Sequence, residues 1–127
     1  MMSLEFVLNF IKEIENEFID NYFTINHKKN SLFLKYGENK IVIKCDKEDK
    51  FDWVVGLGLA ISNLDLIDKE KAKRHRENFR NKKTRKLDYK KYGYWVIIEY
   101  FNNDLIKIKE LENQVKENEG KLFRIKI

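Results

Sequence analysis

Proline is absent, cysteine occurs once and glycine five times in 127 residues. The single thiol, Cys45, excludes an internal disulfide and a cysteine-rich zinc site, and it suits a reducing cytosol. Long apolar runs are missing too. The longest, Trp53 to Ile61, is nine residues, against the roughly 20 that a membrane-spanning helix needs. The first ten residues have no basic segment and already hold Glu5, so no signal peptide is expected. There is no Walker loop, no G-x-S-x-G and no G-x-G-x-x-G; Gly56-Leu57-Gly58 falls inside a helical pattern. Internal repeats and linkers long enough to divide domains are also lacking. These absences predict one cytoplasmic domain over residues 1–127, inside a host cell, with no membrane partner and no cofactor.

What is present is apolar enough to fold. Hydrophobic residues make up 43% of the chain, with nine Phe, six Tyr and two Trp, which argues against disorder despite 37% charged residues. Lysine outnumbers arginine 21 to 5, and Asn and Ile are heavily used (13 and 14 residues), the bias that AT-rich coding produces. Such a bias raises the lysine total without gathering lysines in one place.

Leu4, Val7, Leu8, Ile11, Ile14, Phe18, Ile19 and Tyr22 recur at three-and-four spacing and predict a core-packing helix over residues 4–22, with Ser3 as its N-cap. Ser31–Tyr36 and Lys40–Cys45 alternate with period two around Gly37-Glu38-Asn39, the pattern of an antiparallel hairpin, and Phe23–Ile25 adds a short strand. Asp49 and Asp52 are placed to cap a buried helix over residues 51–64, in which Gly56 and Gly58 would let the backbone lie close against a sheet. That helix is predicted to continue over 66–87 after a bend near Asn63 to Asp68, followed by an interior strand over Tyr94–Phe101 after Gly93, a helix over Asn103–Glu119 stopped by Gly120, and a final strand over Lys121–Ile127. The sum is an α+β domain: a mainly antiparallel sheet of four or five strands packed against three helices.

The segment Ile41–Ala60, with Lys44, Cys45, Asp49, Phe51, Asp52, Gly56 and Ala60, resembles a K-C-x-x-x-D-x-F-D-x-x-x-G-x-x-x-A pattern in small phage and prophage proteins of low-GC bacteria. Lys47 and Glu48 stand where such proteins often have proline, and no basic residue closely follows Ala60. The resemblance implies a mobile-element origin and carries no activity. The same residues also describe an ordinary strand-to-helix junction.

Catalytic chemistry finds little support. Asp46, Glu48, Asp49 and Asp52 lack the glycine and alternating ligand spacing of a calcium loop, with Lys47 and Lys50 interleaved. Cys45 sits in an alternating strand as a small buried hydrophobe would, which argues against a thiol nucleophile paired with His27 or His75. No catalytic residue, no metal site and no enzymatic activity are expected.

Charge is where the sequence is uneven. Lys69–Lys91 holds twelve Lys/Arg against three acids, a local net charge of +9, while the whole chain is +5. On a continuous helix Lys69, Lys73, Arg76, Arg80 and Lys83 fall on one stripe roughly 21 Å long. Arg85, Lys86, Tyr89 and Tyr92 follow directly, the tyrosines placed either to enter the following strand or to stack on bases. These nine residues form the predicted binding site. The expected partner is nucleic acid or a nucleoprotein complex of the host, bound through its phosphates. The alternative is a protein effector, as for an anti-CRISPR inhibitor; a solvated lysine-rich helix is the reading without function.

Overall fold

A computed structural model describes residues 3–17, 20–46 and 50–127 and shows one α+β domain. Its elements are α1 (Leu4–Glu17), β1 (Asn21–Asn26), β2 (Ser31–Tyr36), β3 (Asn39–Lys44), α2 (Trp53–Asn63), α3 (Lys69–Asn78), α4 (Tyr89–Tyr100), α5 (Leu105–Glu117) and β4 (Ile125–Lys126). The four strands form an antiparallel sheet in the order β3-β2-β1-β4. Among the described residues five helices accompany it rather than three, because the long helix expected over 51–87 breaks after Asn63 into α2 and α3, and the apolar run expected as a strand falls in α4.

The hairpin forms as its alternation requires. Leu32 pairs with Ile43 and Leu34 with Ile41, while on the other side Leu32 pairs with Ile25 and Leu34 with Phe23. This places Phe23, Ile25, Leu32 and Leu34 together in the core. Gly37 turns the hairpin with φ +59°, a conformation that costs glycine little. β1 is longer than the three residues expected, and it takes in Tyr22.

α2 lies on β2 and β3 and crosses α4. Its start is capped by Asp52, whose carboxylate accepts from the Val54 amide at 2.9 Å. Asp49, the other expected cap, is outside the described residues. Leu57, Ala60 and Ile61 are fully buried, each large one contributing roughly 1.5–3 kcal/mol of apolar burial. Gly56 does face the sheet: a Cβ there would meet Leu32 Cβ at 3.3 Å. Gly58 instead faces α4, where its added Cβ would collide with the backbone of Gly93.

Residues 94–100 are helical rather than a strand, with Phe101 as the C-cap. Asp88 accepts from the Lys91 amide and caps α4, and Tyr92, Gly93, Val96 and Ile97 make a buried band at helical spacing. The run is apolar on both sides because α4 is buried along one flank and bordered by a groove on the other. Asn102 and Asn103, at φ +52° and +61°, stop it, and Asp104 then caps α5. At the C-terminus only Ile125 and Lys126 form a strand, with Ile125 buried and Phe123 exposed.

α1 departs most from expectation. Ser3 caps it, its hydroxyl accepting from the Phe6 amide at 3.2 Å. Yet Leu4, Phe6, Leu8, Phe10 and Ile11 are all exposed, Leu4 to 75%. Amphipathic spacing records that a face needs cover; it does not say that the same domain supplies it. Phe18 and Ile19, expected on this stripe, are outside the described residues.

Candidate nucleic-acid interface

The basic stretch does not form one continuous helix. α3 ends at Asn78, with Phe79 as its C-cap (φ −97°), and the chain then doubles back. The Asn81 carboxamide accepts from the amides of Lys83 and Thr84 at 2.8 and 3.0 Å, and the Asn81 amide donates to the Lys86 carbonyl at 2.9 Å. Such local side-chain bonds favour a turn over a helix. Arg80 and Leu87 bridge across the base of the turn, Arg85 takes a left-handed φ of +61°, and α4 begins at Tyr89. The cations are thus spread over α3, a tight turn and the first turn of α4.

The nine expected residues separate into groups. Lys69 and Lys73 are exposed on α3, and Lys83 and Lys86 are exposed in the turn. Arg80 and Arg85 are also in this region, but both bind Glu77, at 3.0 and 2.7 Å. Hydrogen bonds from Arg85 first and Arg80 second hold the Glu77 carboxyl below its usual pKa of 4.5. Glu77 therefore fastens the turn to α3 and offsets part of its charge.

Arg76, half-buried, and Tyr92, buried, are turned toward each other. Tyr92 is only 1% exposed, so its ring cannot stack on a base. Arg76 Nη2 donates to the Tyr92 hydroxyl at 3.2 Å, and that hydroxyl lies 2.7 Å from Ser62 Oγ. The guanidinium carbon also sits 5.3 Å from the centre of the Tyr92 ring. Arg can only donate, so Tyr92 accepts from it, while between Tyr92 and Ser62 either hydroxyl can be the donor. The pair ties α3 to α4 and α2.

The structure adds residues that were not expected. Arg74 and Lys82 are exposed, and with Lys69, Lys73, Lys83 and Lys86 they have no ion pair among the described residues. Lys90 and Lys91 project from the first turn of α4, and both are largely exposed despite ion pairs to Asp52 (3.1 Å) and Asp88 (4.0 Å). Between α3 and α4 a shallow apolar groove of about 410 Å³ is lined by Phe79, Lys90, Lys91, Tyr94, Trp95 and Ile98. Trp95 also stacks on His75, with ring centres 4.2 Å apart. Reading 89–100 as a helix would have placed Lys90, Lys91 and Tyr94 beside the basic turn.

Family models, curated proteins and solved structures give no match to this chain. The surface itself must carry any functional assignment. One further feature links it to the Ile41–Ala60 segment: Lys44, Cys45, Phe51, Asp52 and Gly56 line a cleft of about 430 Å³, with Tyr89 at its edge. Among the described residues no three histidines, cysteines or carboxylates gather as a metal site, and no helix is long and apolar enough to cross a membrane.

Proposed function

We propose that this is a small, non-enzymatic phage or mobile-element protein that binds nucleic acid, alone or within a host nucleoprotein complex. The binding face runs from α3 through the Asn81–Lys86 turn to the start of α4. One observation carries the reading: Lys69, Lys73, Arg74, Lys82, Lys83 and Lys86 are exposed and lack an ion pair among the described residues. Such cations neutralise phosphates, and the backbone's condensed counterions are released into solution, which favours binding. Their spread over a helix and a turn, with no recognition helix aimed at base edges, suits backbone contact without sequence readout. Tyr89, about half exposed at 52%, borders the cations and offers its ring to unpaired bases. Tyr92 is replaced in that role.

The test is fluorescence anisotropy with labelled single-stranded and duplex oligonucleotides at low salt. Wild-type protein is expected to bind both, and a variant with all six cations changed to Gln is expected to lose binding while keeping its circular dichroism. No wild-type binding, or unchanged binding by the variant, would overturn the proposal.

A further inference from the structure

Two apolar surfaces of this chain lie open, and they match in spacing and in charge. On α1, Leu4, Val7, Leu8 and Ile11 recur at i, i+3, i+4 and i+7; Val7 is half-buried and the other three are exposed. On α4 the groove residues Lys91, Tyr94, Trp95 and Ile98 have the same spacing. Each stripe covers seven residue steps, roughly 10 Å at 1.5 Å per residue. Anchors at this spacing are how an amphipathic helix seats in a groove between two others.

Charge selects among the possible occupants. α1 carries four glutamates and one lysine in its sequence, LEFVLNFIKEIENE. A helix that lies on a membrane surface carries lysines on its polar face, so α1 is of the wrong sign for anionic lipid. Two α1 helices pairing with each other would bring two net-negative segments together. The groove instead has Lys90 and Lys91 at one end and Lys86 close by in the adjoining turn. Three of the four glutamates fall in the last five residues of α1, so an antiparallel seating on α4 would bring that acidic end to these lysines. It would also oppose the two helix dipoles.

We propose that α1 of one copy of this chain seats its Leu4–Leu8–Ile11 stripe in the Phe79–Trp95–Ile98 groove of a second copy. The exchange is reciprocal and closes a two-fold dimer. A closed dimer covers both open surfaces of both chains, leaving no further site for growth.

Light scattering on the full chain without nucleic acid tests this independently of any binding to oligonucleotides. The wild type is expected to be a dimer at micromolar concentration. Leu8→Glu and Tyr94→Glu both alter exposed positions, so the domain should stay folded by circular dichroism. Each is expected to raise the dimer dissociation constant at least about tenfold, because each places an unpaired charge in an apolar contact. Mixing the two variants leaves one sound α1 and one sound groove, on different chains. A heterodimer should therefore reappear in the mixture although neither variant dimerises alone. A wild type that is monomeric throughout overturns the proposal. So does a dimer that survives Tyr94→Glu, or a mixture that stays monomeric.

Discussion

Changing Gly58 to alanine adds one methyl group where α2 crosses α4. Built on the existing backbone, that carbon would lie 2.7 Å from the Gly93 carbonyl oxygen and closer still to Gly93 Cα. Carbon atoms pack best at about 3.5–4.0 Å, so the helices would have to part by about an ångström. Backbone cannot swing aside as a side-chain tip can. The separation would loosen Leu57, Ile61, Val96 and Ile97, all fully buried. Overpacking of this kind costs about 1–3 kcal/mol or more, while alanine regains about 1 kcal/mol of helix propensity. A net loss of about 2 kcal/mol is expected, out of the roughly 5–15 kcal/mol that holds a domain folded. Gly56→Ala is the control. Its new carbon meets Phe51 Cζ at 3.2 Å and Leu32 Cβ at 3.3 Å, side-chain atoms that can yield a few tenths of an ångström. It should change stability by less than about 1 kcal/mol. Urea unfolding followed by circular dichroism measures both. Gly58→Ala as stable as the wild type, or less harmful than Gly56→Ala, would refute the reasoning. The contact matters for the binding face because Gly93 lies beside Lys90, Lys91 and Tyr94 on α4.

Asp52→Ala should lower stability by about 1–2 kcal/mol through loss of the α2 cap, with little added by the exposed Lys90 pair, and Asp52→Asn should restore most of it in thermal melts. The Tyr100 hydroxyl is pushed up to about 12, first by burial and then by Tyr36 beside it. Its neutral form is favoured in the folded state, so that stabilisation is complete below the ordinary pKa of 10 and fades as pH rises toward 12. Ultraviolet titration should show Tyr100 ionising late, and Tyr36→Phe should bring it earlier. The opposite sign applies to Glu77, whose carboxyl is held low by Arg85 and Arg80. Its ties to the turn should be intact above pH 4.5 and release only as pH falls through its depressed value, seen as a low-lying carboxyl titration by NMR.

The β2–β3 hairpin was legible because period two has one reading: Leu32, Leu34, Ile41 and Ile43 cannot share a face in any helix. α2 was legible through its Asp cap and its apolar run. α4 was not, because Tyr94–Phe101 is rich in β-branched and aromatic residues and apolar on both sides, which suits a buried strand and a buried helix alike. Asp88 three residues before Lys91, and Asn102-Asn103 at the far end, were the signals that favoured a helix. Within the basic stretch the charge was visible but its arrangement was not. A helical projection assumed continuity through Phe79, and Asn81 breaks it. Arg76 and Tyr92 illustrate the remaining limit: a cation and a phenol can meet each other inside the protein as readily as they meet a phosphate and a base. α1 could be read as amphipathic, while its lack of cover depends on where every other element lies.

The central claim is that six exposed cations bind a phosphate backbone, and the salt dependence of affinity tests it most directly. With all six engaged, the slope of log K against log salt should be about −4 for a single strand and about −5 for duplex DNA. Between about 50 and 200 mM salt, single-strand binding should then weaken by roughly 300-fold. The six-Gln variant should show a slope near zero on any residual binding. A wild type whose affinity hardly changes with salt, or a variant that keeps the wild-type slope, would contradict the account.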